Sequence, residues 1–241
     1  MKTIGLLGGM SWQSSLDYYR AINESVQHQL GGLHSGKVVL YSIDFAAIAK
    51  LQHAGDWQGT ADILIKAALD IQAAGADFLL ICTNTMHKLA PEIEAAIDIP
   101  ILHIADTTAE ILVDKGIKTV GLLGTGFTME QDFYKGRLTD QYGLQVLVPA
   151  KQDRDFIHKV IYQELCLGNI KADSKSEYLR IIDRLQARGV QAVILGCTEI
   201  GMLIKQADTH IELFDTTAIH AQQAVKYAIM DSTKVMPHMH R

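Results

Sequence analysis

Apolar positions along the chain fall into short runs separated by longer amphipathic stretches. Thr3–Leu7, Lys37–Ile43, Phe78–Cys82, Thr119–Leu123, Val146–Val148, Ala192–Leu195 and Glu212–Phe214 read as strands. Ile101–Ile104 reads as a further short strand. Between them, apolar residues three and four apart predict helices. Trp12–Leu30 has helical apolar spacing at Leu16, Tyr19, Ile22 and Val26; Asp56–Ala74 is amphipathic, with Ile63, Ala67 and Ile71 on one face. Phe45–His53, Met86–Ala96 (broken early by Pro91), Thr107–Lys115, Thr128–Tyr142, Phe156–Leu167, Ser174–Arg188, Ile200–Lys205 and Thr216–Met230 complete the set. Lys151–Asp155 reads as a charged connection and the tail from Asp231 as a frayed end. Strands alternating with helices predict an α/β protein with parallel sheets.

Two phrases of this pattern occur twice. Phe78-Leu79-Leu80-Ile81-Cys82-Thr83-Asn84-Thr85 resembles Val193-Ile194-Leu195-Gly196-Cys197-Thr198-Glu199. Aligning the strands sets Thr83 against Cys197, Asn84 against Thr198 and Thr85 against Glu199, an offset of 114 (197 − 83). Gly5-Leu6-Leu7-Gly8 recurs as Gly121-Leu122-Leu123-Gly124 at an offset of 116 (121 − 5). Nearly one spacing for both predicts an internal duplication. The expected fold is two pseudo-symmetric α/β domains, each a parallel β-sheet flanked by helices, with the active site in the cleft between them. The expected division is 1–106 plus 216–241 for the Thr83 side and 107–215 for the Cys197 side. The last helix is expected to cross back onto the first half.

Composition narrows the functional classes. The formal net charge of −5 gives no basic footprint for nucleic acid. No apolar run is long enough to cross a bilayer. The run Ile4–Met10 is short and broken by three glycines, unlike a secretory signal. Three cysteines without metal-like pair spacing suit a reducing compartment, so the expected location is the cytoplasm. The histidines show no metal-ligand spacing, and no lysine has a Schiff-base context, so neither a metal nor another cofactor is expected.

The chemistry concentrates at strand ends, where open parallel sheets bind ligands. Gly8-Gly9 and Gly124-Thr125-Gly126 sit between a strand and a helix. Such turns can present N–H groups to a carboxylate or small phosphate, or can simply permit tight packing. Their spacing does not match a dinucleotide fingerprint. Cys197 follows a buried strand and has polar neighbours, which points to acid–base chemistry at carbon. Cys82 faces the other way along its strand and reads as core; Cys166, between two leucines, reads as core or wall. Glu199 either orients a substrate ammonium or caps the next helix.

The phrases Ile4-Gly5-Leu6-Leu7-Gly8-Gly9-Met10-Ser11, Thr83-Asn84-Thr85-Met86-His87 and Gly196-Cys197-Thr198-Glu199 together resemble the cofactor-independent aspartate/glutamate racemase family, over nearly the whole chain. The resemblance is greatest to its bacterial branch of broad-specificity or L-aspartate/glutamate-specific amino-acid racemases. It implies a homodimer that inverts an amino acid α-carbon without pyridoxal phosphate or metal. In the family a cysteine at each of two strand ends carries the proton. The second matches Cys197, which would take the proton of the L-form; the first falls at Thr83, whose hydroxyl is too weak an acid to rest as an anionic base. The resemblance therefore implies a kinetically asymmetric enzyme, good with L-substrates and poor with D.

By the same likeness Asn84, Thr85, Thr125 and Thr198 hold the α-carboxylate and ammonium, and Met10 and Gln52 line the cleft. Some aspartate-specific relatives carry basic residues near Gln52 and in the segment Glu164–Cys166, where this chain has none. That leaves room for neutral polar substrates such as homoserine beside aspartate and glutamate. Other reactions of the superfamily (decarboxylation, maleate isomerisation, hydantoin racemisation) and a small-carboxylate binding module without turnover are the alternatives.

Overall fold

The computed structural model describes residues 1–230; the expectation for the tail from Asp231 lies outside them. The chain divides into two compact units, Met1–Ile104 with the segment from His220 onward, and Ala105–Ile219.

The first unit holds a parallel sheet of order β2-β1-β3, with β1 Ile4–Gly8, β2 Val38–Ser42 and β3 Phe78–Ile81. Alternation along these strands sorts their side chains onto two faces, as the two-residue repeat of a strand requires. Leu7, Leu79 and Ile81 join Ile48, Leu64, Ala67 and Ile71 from helices Phe45–Ala54 and Trp57–Ala73. Ile4, Leu6, Phe78, Leu80 and Cys82 join Tyr18, Ile22 and Val26 of helix Trp12–Leu30 and Ala221, Ala224, Val225 and Ala228 of helix Thr216–Ile229. The sheet is thus covered on both sides by helices, and the last helix supplies part of the first unit's core.

The second unit holds a parallel sheet of order β5-β4-β6-β7, with β4 Thr119–Gly124, β5 Gln145–Leu147, β6 Ala192–Gly196 and β7 Glu212–Asp215. Helices Lys151–Gln163 and Ala172–Ala187 pack on β4. The two units repeat one topology, and the pairing repeats as well. Leu7 lies opposite Ile81 and Leu123 opposite Leu195. Two residues beyond these partners come Thr83 and Cys197. The glycines of the repeated phrase also do one job twice: a Cβ at Gly5 would press on Ile71 at 2.5 Å and one at Gly121 on Leu185 at 3.0 Å. Each lets a helix approach its central strand.

Four local expectations are corrected. Ile101–Ile104 is not a strand: Ile101 makes a single bridge to Leu79, and helix Ile104–Asp114 starts at once. Thr128–Tyr142 is two helices, Gly126–Glu130 and Asp132–Tyr142, because Gln131 between them is extended and Thr125 starts the first one early. Lys151–Asp155 is helical, its first turn spanned by an ion pair between Lys151 and Asp155 at 2.7 Å. On helix Trp12–Leu30, Leu16 and Tyr19 are exposed while Ser15 and Tyr18 are buried. Ile22 and Val26 are buried as expected; only the first half of the stripe is displaced, where Tyr18 carries its hydroxyl inward to Nδ1 of His220, at 2.8 Å.

Gly9 has φ +88°, and a Cβ there would collide with the backbone of Ile43. A Gly9→Ala chain is expected to lose about 2–4 kcal/mol, from left-handed strain and from backbone displacement. Urea unfolding checks this as a lower midpoint at unchanged slope.

Burial pushes the Cys82 thiol well above its ordinary 9.0 and the Tyr134 and Tyr178 hydroxyls well above 10.0. Each group binds its proton more tightly folded than unfolded. The associated stability is complete below the ordinary values and is lost as the pH climbs past them towards the folded ones. The urea midpoint is expected to hold near about pH 8 and to fall steadily above about pH 9. A flat midpoint across that range would contradict the assignment.

Candidate active site

In the second unit, buried β6 ends at Gly196 and releases the chain into Cys197, Thr198 and Glu199, which lead into helix Ile200–Leu203. All three side chains are buried, at 8%, 7% and 3% exposure. Cys197 Sγ donates to Glu199 Oε2 at 3.0 Å, and Thr198 Oγ1 donates to the same oxygen at 2.7 Å. Glu199 occupies the N-cap position of helix Ile200–Leu203, but its side chain makes no capping hydrogen bond there. Burial first, and then the neighbouring Glu199 carboxylate, holds the Cys197 thiol well above the ordinary range, so at neutral pH it rests protonated.

Cys166 sits half-buried on the single turn Leu165–Leu167, which packs on helix Ile200–Leu203. Burial, with Glu199 second, pushes its thiol up as well. Tyr178 is buried near the same thiol and donates to the carbonyl of Ile157 at 3.2 Å.

Gly124 pairs with Gly196, so Thr125 and Cys197 leave neighbouring strands side by side. Thr125 is 5% exposed; its hydroxyl oxygen accepts from the Thr128 N–H at 3.3 Å as the cap of helix Gly126–Glu130. Gly126 donates its N–H to His158 Nδ1 at 3.0 Å. In the first unit the Gly9 N–H goes to Ser15 Oγ at 2.7 Å. These two turn N–H groups serve internal partners.

At the end of β3, the Cys82 N–H donates to the carbonyl of Leu7 at 2.9 Å, keeping β1 and β3 together where Met10 and Thr83 follow. Cys82 is core, at 1% exposure. Thr83 is half-buried, and Asn84 and Thr85 are buried at the start of the turn Thr85–Leu89. Met10 belongs to the cluster that contains Met86 and Ile48. Ile48 lies one turn before Gln52 on helix Phe45–Ala54. Gln52 is 3% exposed, and its side-chain carbonyl oxygen has no hydrogen-bond partner. A buried acceptor left in this way costs free energy unless a donor reaches it.

Behind Thr83 lies a histidine cluster that the spacing did not reveal. The Ile104 N–H donates to His87 Nε2 at 3.2 Å, so Nδ1 carries the ring proton and donates to the carbonyl of Thr83 at 2.9 Å. His220 Nε2 donates to the carbonyl of Leu102 at 2.7 Å. His103 stacks edge-on against His87 with ring centroids 4.5 Å apart. The one sequence signal was the four-residue step from Thr83 to His87 within the turn. Among the described residues no group of three or more His, Cys, Asp or Glu is placed to hold a metal ion, and no helix is long and apolar enough to cross a membrane.

A family model described as Asp/Glu/Hydantoin racemase matches residues 7–224. The chain belongs to that family. It is a racemase-class isomerase. An Asp/Glu racemase candidate from Yersinia pestis, solved by crystallography, is 53% identical to it with a TM-score of 0.89, covering 95% of this chain and all of that one. An aspartate racemase homologue from Pyrococcus horikoshii is 34% identical with a TM-score of 0.81, over 95% and 99% of the two chains. The broad specificity amino-acid racemase RacX of Bacillus subtilis is 22% identical over 234 residues, 92% of this racemase and 96% of that one.

Proposed function

We propose that the protein interconverts L- and D-amino acids without a cofactor, with Cys197 as the base for the L-form and Thr83 serving the opposite face of the α-carbon. The observation that carries this reading is the repeated strand pairing. Leu7–Ile81 and Leu123–Leu195 give Thr83 and Cys197 the same place in two related units. Racemisation needs one proton-transfer group on each face, and a duplicated unit supplies two equivalent positions. Cys197 meets the need with a thiol; Thr83 donates or relays a proton, or holds a water that does.

Asn84, Thr85, Thr125, Thr198 and Glu199 are the substrate's carboxylate and ammonium ligands in this reading, with Met10 and Gln52 beside the side chain. The unpartnered oxygen of Gln52 supports a donor on the substrate: an ammonium, or the hydroxyl of a neutral amino acid such as homoserine. Aspartate and glutamate are the other candidates. The reading includes a homodimer in the cytoplasm. Trp12, Leu16 and Tyr19, exposed along one face of the first helix, support a protein-covered surface there.

The test is loss of the α-proton signal in deuterated water, by NMR, with L- and D-aspartate, glutamate and homoserine and no added cofactor. Exchange of the L-forms much faster than the D-forms is expected. Binding of these amino acids without exchange would replace the racemase by a binding module.

A further inference from the structure

We propose that Glu199 is the proton acceptor of Cys197, a catalytic group in the same turn rather than only a ligand for the substrate ammonium. This rests on the racemase reading and assigns the acid–base partner that its thiol requires.

Three observations converge on the pair. Glu199 Oε2 lies 3.0 Å from Sγ, within reach of direct proton transfer. The side chain reaches back two residues to the thiol and makes no capping hydrogen bond to the helix it precedes. Thr198 Oγ1 donates to the same oxygen at 2.7 Å, which holds the carboxylate in that orientation.

The electrostatics explain why a partner is needed. Losing the thiol proton to water would leave a thiolate and a carboxylate side by side in a buried site, two like charges that disfavour each other. Moving the proton from Sγ to Oε2 keeps the pair at one negative charge throughout. Cys166 and Tyr178 also face the pair; both are held neutral by burial, and neither offers positive charge to a thiolate.

The sequence of steps balances. The S–H proton passes to Glu199, and the S–H bonding pair stays on sulfur. The thiolate takes the α-proton, so the C–H bonding pair stays on carbon and the thiol is restored. The carbanion is protonated from the opposite face by a donor that recovers its proton from solvent, while Glu199 loses its proton to solvent. For exchange with retention, the thiol proton is replaced by deuterium through Glu199 and returned to the same face.

Two measurements on full-length Glu199→Gln decide the matter. The first is α-proton exchange of L-aspartate. The second, without substrate, is the pH profile of Cys197 alkylation by iodoacetamide, read on the peptide that contains Cys197 by mass spectrometry. Removing the carboxylate makes the thiol easier to ionise, so the alkylation midpoint should fall by about one pH unit or more. The exchange kcat should nevertheless drop about 100-fold or more, with KM changed less than about threefold. Glu199→Asp should recover part of the exchange, and serves in its place if the glutamine variant does not fold.

Opposite movement of the two readouts is the signature of a proton acceptor. An exchange rate kept within about threefold, or a loss carried by KM alone, would overturn the proposal, the second in favour of an ammonium ligand. An unmoved alkylation midpoint would overturn it whatever the turnover. If the wild-type protein exchanges no α-proton, the racemase reading fails by itself, and the Cys197–Glu199 proton pair is still judged by alkylation.

Discussion

In Cys197→Ser, the α-proton of L-aspartate is expected to persist in deuterated water, with exchange at least about 1,000-fold slower than wild type. A serine hydroxyl is a far weaker acid than a thiol. The nearby carboxylate that accepts a thiol proton only at some cost would accept a hydroxyl proton at a much greater one. The substitution nearly conserves volume at a position only 8% exposed, and a hydroxyl can donate to Glu199 as the thiol does. Structure and ligand binding should therefore survive, and the binding constant for L-aspartate should change little. Calorimetry for binding and NMR for exchange separate the two. Exchange retained above about one hundredth of wild type would remove Cys197 from the role of base.

Thr83→Cys is expected to act in the opposite direction, raising exchange of the D-forms by about tenfold or more while leaving the L-forms within a few-fold. Thr83 holds the place in the first unit that Cys197 holds in the second. It is half-buried, so a thiol there is less desolvated than that of Cys197 and less strongly pushed up. The equilibrium between enantiomers cannot move, because they have equal free energy in water; only the two exchange rates can. The same NMR experiment, begun separately from pure L- and pure D-aspartate, gives both. If the variant consumes the D-form no faster than wild type, Thr83 does not stand for the second base.

Much of this architecture was legible in the chain because its strands are short, apolar and closed by polar residues. Alternation alone marked Cys82 as core, where it joins Leu80 and Phe78. The duplication was legible for the same reason, and β-sheet pairing repeats the alignment read from the phrases. Errors arose where a side chain's partner lies far away in sequence. Tyr18 is buried because it reaches His220, 202 residues on, and no local period carries that information. Ile104 begins a helix rather than extending a strand, and its N–H is taken by His87. The break at Gln131 depends on one backbone conformation within an otherwise helical pattern.

The site shows the same division. Cys197, Thr198 and Glu199 were marked by composition, but the direction of Glu199 was not. The sequence offered a substrate ammonium or the next helix as its partner, whereas the side chain meets the thiol of Cys197. The orphan oxygen of Gln52 was equally invisible, since burial of a glutamine follows from packing around helix Phe45–Ala54 and not from its own sequence.

The first unit is completed by the last helix, whose Ala221, Ala224, Val225 and Ala228 fill the core beside Ile4, Leu6 and Tyr18. Synthesis on the ribosome therefore meets the two units in an inverted order. The segment emerging first cannot close its core until the final helix has been made, whereas Ala105–Ile219 is continuous and can fold as soon as it is out. During translation the half carrying Thr83 waits with an open apolar face, exposed to chaperones, while the half carrying Cys197 is already shaped.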